Sequence, residues 1–366
     1  MARILILFNQ TEDDVVELWR QDGRTAPDWD PTKLVEGWDT VSEEMALLEA
    51  SIRAGGHEPI SVNIRDDLGT LMDVIAKTRP DAIMNLVEFF HDDIEHEHHV
   101  PALFELLDIQ YTGNRPMALS LCQKKPHTKA LLVAAGVPTP RSFVVEQMSE
   151  IPTTIALRFP LMVKPAFEDA SGGIDAGSVV HTRAELETRI LRVLTEDKMV
   201  ALVEEYIEGR ELHCAIIGND PPEPLPLYEM EFAGGVDDDG RALPRIITYR
   251  AKWDPYSREH HAVSGKCPVD DLEPEIVAHV QDVAIRAFRT LGCRDYARVD
   301  MRLDPITGEA YVLEVNPNPD LADGCAFAAS VRASGRTYEQ TICELVELAL
   351  ARGRAKPARS EGPSDT

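Results

Sequence analysis

From Cys293 to Asn318 the chain reads CRDYARVDMRLDPITGEAYVLEVNPN, a stretch in which acids and cations recur at the spacing of β-strands. ARVDMRL and AYVLEVN have strand composition, and Asp304, Pro305 and Gly308 between them are turn residues. Side chains alternate across a strand, so Arg298, Asp300 and Arg302 share one face of the first segment, and Glu314 and Asn316 share one face of the second. Pairing the two strands brings Asp300, Glu314 and Asn316 together. Two carboxylates and a carboxamide are hard oxygen donors suited to Mg²⁺, with Mn²⁺ as an alternative, and they leave coordination positions for phosphate oxygens. Arg298 then stands beside the metal as a fixed cation. The plainer alternative is a hairpin with a solvated charged face. Against it count the apolar residues Val299, Met301, Leu303, Val312, Leu313 and Val315 in the intervening positions, and Pro317 and Pro319 just past the acids.

Upstream segments supply candidates to face these acids. Leu161 to Lys164 is an apolar strand ending in a lysine, and it runs into the small-residue loop Pro165 to Gly173, whose backbone N–H groups can approach a phosphate. Met199 to Tyr206 is another strand, with Glu204 and Glu211 bracketing the turn Glu208-Gly209. On their own, acids beside a turn are ordinarily solvated. Thr248 to Trp253 leads into a polar stretch through Gly265, and Lys252 between two aromatics fits a closing loop. Glu273 to Leu291 has the pattern of an amphipathic helix stopped by Gly292, and Thr337 to Leu350 that of a last helix.

The N-terminal part has a different pattern. Arg3 to Asn9 is a β-branched and Leu-rich strand, and strand–helix–strand units recur through Val87, as in an α/β domain with a parallel sheet. Thr40 and Glu43 form a capping-box pattern ahead of a helix. Residues 10 to 38, with Trp19, Trp29 and Trp38, read as a long ordered loop that serves as a lid or substrate wall. In HDDIEHEHH, His96 and His99 could share a helix face for a transition metal, but no companion ligand completes a site and a solvated polar turn is commoner. Glu88, His91 or Glu97, past a strand end, fit a substrate-facing role better.

The formal net charge of −26 over 366 residues argues against nucleic-acid and anionic-membrane partners. No apolar run is long enough to cross a bilayer, and the opening MARILILFN is too soon polar for a signal peptide. Six cysteines without a C-x-x-C pair fit reduced thiols of a cytoplasmic enzyme.

Taken in order, Ile109 to Asn114, Lys125 ahead of GVPTP, LMVKP with its Ser-Gly-Gly flap, LVEEYIEGRE, TYRAKW, TLGCRDYARVD and YVLEVNPNP resemble the ATP-grasp superfamily, most closely the D-alanine:D-alanine ligase family. The resemblance spans nearly the whole chain from Arg3 to Gly335. It implies a three-domain architecture: an N-terminal α/β substrate domain (1–115), a small central domain with a flap (116–210) and a catalytic α+β domain (211–352); by its Pro, Ser, Lys and Glu content alone, 353–366 reads as a disordered tail. It implies that Lys125 and Lys164 hold ATP, that Glu204, Glu205 and Ile207 meet adenine, and that Glu211 meets the ribose. It further implies that Ser171 covers the γ-phosphate, that Lys252 contacts phosphate, and that Arg298 stabilises a tetrahedral intermediate. Asp300, Glu314 and Asn316 match the Mg²⁺ ligands. The activity implied is ATP-dependent joining of a small-molecule carboxylate to an amine through an acyl phosphate, with a homodimer in keeping with the family's habit.

Departures from the family concern the substrates. Trp253 stands where the closing loop has a tyrosine, Asp320 stands where a glycine follows NPNP, and His91 to His99 replace a Gly-Glu-Asp-Gly segment. The glutamate that binds the first D-alanine has no clean counterpart, since Glu43 and Glu44 are poor matches. These departures point to amino-acid or peptide-like substrates of specialised metabolism. The alternatives are cell-wall D-alanine:D-alanine ligation, or a kinase that stops at phosphoryl transfer.

Overall fold

The apolar run Arg3–Phe8 forms β1, the central strand of a three-stranded parallel sheet in the computed structural model, which describes residues 1–35, 38–238 and 240–355. Its neighbours are β2 (Glu58–Asn63) and β3 (Ala82–Leu86), in the order β2-β1-β3. Leu5, Leu7 and Ile83 pack with Leu71, Phe104 and Tyr111 into one core. The Thr40–Glu43 capping box forms as expected: Thr40 N–H donates to Glu43 Oε2 and Glu43 N–H to Thr40 Oγ1. It starts the helix Val41–Ala54.

By contacts the chain divides into two compact units. The first holds Met1–Glu12, Met45–Gly113 and the chain from Tyr338 onward; the second holds Asp13–Glu44 and Asn114–Thr337. Two segments therefore depart from the divisions 1–115 and 211–352. The last helix, Tyr338–Ala355, packs beside β3, and residues 13–44 belong with the second unit.

Two sheets build the second unit. A four-stranded antiparallel sheet contains β4 (Ser142–Val145), β5 (Leu161–Pro165), β6 (Val179–Val180) and β7 (Ala201–Glu205), in the order β4-β7-β5-β6. The helix Arg183–Thr195 buries Leu186, Ile190 and Val193 against Val145, Leu161, Val163 and Val203. The second sheet contains β8 (Arg210–Ile217), β9 (Glu223–Pro224), β10 (Tyr228–Phe232), β11 (Val263–Lys266), β12 (Tyr296–Leu303) and β13 (Ala310–Asn316). Its order is β11-β10-β8-β12-β13, with β9 against β8. Helix Pro274–Thr290 lays Val280, Val283, Ala284 and Ala287 over Leu212, Cys214, Val299, Met301 and Val315. Alternation then leaves the polar residues of β8, β12 and β13 on the opposite face.

Three expectations need correction. Residues 10–38 are not all loop, because Val15–Asp22 is a helix: the Asp14 carboxylate accepts the N–H groups of Val16 and Glu17, and Gly23, at φ 71°, ends it. The stretch after Thr248 contains two short helices, Tyr249–Trp253 and Arg258–His261, each started by a hydroxyl cap, Thr248 and Ser257. The expected tail, 353–366, begins inside the last helix, which runs to Ala355; residues 356–366 lie outside the described residues. Among the described residues no helix is long and apolar enough to cross a membrane, and no cysteine is in a disulfide.

Candidate active site

β12 and β13 pair so that Asp300 stands opposite Glu314 and Arg298 opposite Asn316. Past this point the register shifts, with Met301 opposite Val312, so Leu313 is the extra residue of a bulge. The shift explains why Val312 and Leu313, both apolar, follow each other in the sequence. On the other side of β12, Asp300 is opposite His213 of β8 and Arg302 opposite Glu211.

Asp300 is buried and accepts three hydrogen bonds. Arg298 donates from Nε to Oδ1 at 2.7 Å and from Nη2 to Oδ2 at 2.8 Å, and Asn316 Nδ2 donates to Oδ2 at 2.9 Å. Burial alone would push the Asp300 carboxyl up; Arg298, with His213 and Asn316, outweighs it and holds it below the usual carboxylate range. Burial likewise disfavours the Arg298 charge, while Asp300 and Glu314 secure it. Glu211 receives Arg302 Nε at 3.0 Å and Nη2 at 2.8 Å. Despite burial, that cation keeps its carboxyl below its ordinary value. His213 lies between the two acids, Nε2 3.5 Å from Glu211 and Nδ1 3.8 Å from Asp300.

A cluster of lysines meets this face. Lys125 and Lys129 lie four residues apart on the helix Lys125–Ala134, hence on one side of it. Lys129 Nζ is 2.9 Å from one oxygen of Glu204 and Lys164 Nζ 2.6 Å from the other, with all three side chains buried. Burial would raise the Glu204 carboxyl; the two ammonium groups bring it down to about 2. Burial opposes the Lys164 charge too, but Glu204, Glu314 and Glu211 hold it above its ordinary value. Lys129 goes the other way, because burial and the Lys164 charge outweigh Glu204. Lys125 Nζ donates to the Glu168 carbonyl and stands 3.9 Å from Glu314 Oε2. The lysines from residues 125–164 and the acids of β12–β13 therefore share one site.

Glu205 turns its side chain away from this cluster, to Arg158 N–H at 2.9 Å and the Arg141 guanidinium at 3.6 Å, and Ile207 is buried beside the turn into β8. Ser171 sits in the flap with φ 64°, after Ala170 at φ 51°; both take the left-handed conformation that side chains usually avoid. The flap meets the closing loop: Trp253 Nε1–H donates to the Ala170 carbonyl at 3.0 Å and Tyr249 N–H to the Ile174 carbonyl at 2.9 Å. Lys252 is exposed on that loop, its Nζ 5.1 Å from the Trp253 ring centre.

Asp320 is exposed and accepts Ala322 N–H at 2.8 Å, the turn role open to an aspartate there. Glu88 and His91 belong to the first unit, exposed just past the end of β3, where the His91 N–H donates to Asp66. His96 Nδ1 is 2.8 Å from the Phe90 carbonyl, and among the described residues no group of three or more His, Cys, Asp or Glu is assembled to hold a metal. The His96–His99 metal reading therefore lacks support. The Asp300, Glu314 and Asn316 set has only two carboxylates, and its all-oxygen donors fit Mg²⁺ when phosphate oxygens complete the shell. Glu43 is taken by Arg20 at 3.0 Å and by its own cap.

Lys129, His213 and Arg302 are the residues missed as members of the site. Lys129 is marked by its spacing from Lys125, His213 by following Glu211 at the strand repeat, and Arg302 by alternation with Asp300.

A sheet whose polar face carries paired acids, with strand-end and helix lysines and a small-residue flap, has the hard oxygen donors and cations that suit a metal-bound phosphate group. The comparisons make this specific. A family model for the D-ala D-ala ligase C-terminus matches residues 131–347. The D-alanine–D-alanine ligase of Desulforudis audaxviator is 31% identical over 307 residues, covering 83% of this chain and 91% of that one. That of Carboxydothermus hydrogenoformans is 33% identical over 265 residues, covering 70% and 78%. A crystal structure of D-alanine–D-alanine ligase from Bacillus anthracis complexed with ATP covers 97% of this chain and 99% of its own, with TM-score 0.65 at 20% identity, a likeness of fold alone. The chain belongs to the ATP-grasp D-alanine–D-alanine ligase family and is an ATP-dependent ligase forming C–N bonds.

Proposed function

We propose that the protein activates a small amino-acid-like carboxylate with ATP and couples it to an amine, releasing ADP and phosphate. The observation that carries this reading is the 3.9 Å approach of Lys125 to Glu314, which joins the lysine cluster to the acid face. Lys125 and Lys164 hold phosphate oxygens, the turn Glu204 to Ile207 receives adenine, and Glu211 accepts from the ribose hydroxyls. Asp300, Glu314 and Asn316 would hold Mg²⁺, which when bound neutralises charge on the transferring phosphate. A carboxylate oxygen attacks the γ-phosphorus and the bond to ADP breaks. The amine nitrogen then attacks the acyl carbon, phosphate leaves, and a proton leaves the nitrogen.

Arg298, fixed by two bonds to Asp300, stabilises the oxyanion of the second step, a contribution of about 3 kcal/mol per donor in such sites. Ser171 in the flap and Lys252 in the closing loop shield the acyl phosphate from water.

Relatives that are named D-alanine–D-alanine ligases make D-alanine, as both carboxylate and amine, the first pair to test. Trp253 and Asp320 favour a different partner: an indole N–H donates but cannot accept, and an aspartate suits a cationic or polar acceptor. The experiment is phosphate release with Mg-ATP, first with D-alanine alone and then with pairs of carboxylates and amines, products being identified by mass. The expected product has the mass of the condensed amide. A stable phosphorylated acid formed without any amine would instead mean a kinase.

A further inference from the structure

The closing loop is held at two ends. Its beginning meets the flap through Trp253 and Tyr249. Its far end meets the Trp-containing segment 13–44, which lies in the same unit. Trp29 Nε1–H donates to the Tyr256 carbonyl at 2.8 Å, and the Tyr256 hydroxyl donates to the Arg24 carbonyl, also at 2.8 Å. Cations cover both rings, Arg24 at 4.1 Å from the Tyr256 ring centre and Arg258 at 4.6 Å from that of Trp29. Trp19 stands edge-on to Tyr256 at 6.2 Å.

Between these ends the loop is one stiff piece. The buried Ser257 hydroxyl reaches the carbonyls of Arg250 and Asp254, and His260 Nδ1 lies 2.9 Å from the Ala251 carbonyl. These bonds tie the residues that follow Tyr256 to the short helix that carries Lys252.

We propose that Trp29 and Tyr256 are positioning residues, and that the segment around them is a strap that sets the Lys252 loop against the flap. Without the strap the loop keeps its flap bonds and the ion pairs of Arg250 and Arg258 with Asp238 but loses its anchor at Tyr256, and a segment with fewer tertiary bonds opens more readily. With it, the loop stays seated while the acyl phosphate waits for the amine. The catalytic consequence rests on the ligase reading above; the mechanical one does not.

The test uses the full chain with Trp29→Phe, Tyr256→Phe and the double variant, which delete the two hydrogen bonds and leave a phenyl ring at each position. Amide hydrogen exchange of residues 249–261 is expected to quicken about fivefold per bond removed, while exchange in the β8–β12–β13 sheet stays at wild-type values. Phosphate released per amide formed is expected to rise several-fold, with KM for ATP little changed, a split that general destabilisation does not produce. Wild-type exchange in the double variant would overturn the strap. Faster loop exchange with wild-type coupling would overturn its positioning role. Absence of phosphate release from wild-type protein with every pair would count against the ligase reading, and the exchange data would still decide whether the strap holds the loop.

Discussion

Glu204 is a carboxylate shared by two ammonium groups with almost no access to water. Its folded value, about 2, lies below the ordinary 4.5, so it contributes stability that is fully present above 4.5 and is lost as pH falls through about 2. The shift corresponds to about 3 kcal/mol. Glu204→Gln is therefore expected to be less stable than wild type by that order near neutrality, with the gap in denaturation midpoint closing between pH 4.5 and about 2. A gap of constant size across that range would mean the two lysines do not depend on the Glu204 charge. At this scale the sequence is uneven. Asp300, Glu314, Asn316 and Arg298 are legible because strand alternation is a local rule. Lys129 is half legible: its spacing from Lys125 gives the helix face, but its partner Glu204 sits on a strand far along the chain. The burial of Glu204 and Glu211 is illegible locally, since it depends on Lys164 and Arg302 arriving from other strands.

The turn between β7 and β8 links the two sheets of the second unit and carries the residues that meet the nucleotide in our reading. Gly209 is essential to it: φ is 142°, and a Cβ there would overlap the Leu303 carbonyl. Gly209→Ala is expected to cost about 2 kcal/mol or more and to weaken binding of a non-hydrolysable ATP analogue, measured by denaturation and calorimetry. A variant as stable and as tight-binding as wild type would show that the turn does not set the position of Glu211. The elements themselves are mostly readable. Strands β1, β5, β12 and β13 and the helix Pro274–Thr290 follow from apolar periodicity. Helix Val15–Asp22 is disguised by the tryptophans and prolines around it, although its cap, Asp14, and its stop, Gly23, are both present in the sequence.

At the scale of the molecule, chain order and spatial grouping part company. Residues 13–44 sit early in the sequence yet belong to the second unit, and the helix from Tyr338 sits last yet belongs to the first. Neither assignment is written in local periodicity: the first follows from aromatic contacts with Tyr256 and His260, the second from packing beside β3. The acidic body, at a net charge of −26, leaves anion binding to the few cations gathered at the lysine cluster and Arg298. All of them serve one chemical claim, that a carboxylate becomes an acyl phosphate before an amine takes it. The direct measurement is turnover with Mg-ATP and a carboxylate substrate labelled with heavy oxygen in both carboxylate positions, followed by mass analysis of the phosphate released. An acyl phosphate requires that each phosphate carry a single heavy oxygen from the acid. Amide formed with unlabelled phosphate would contradict it.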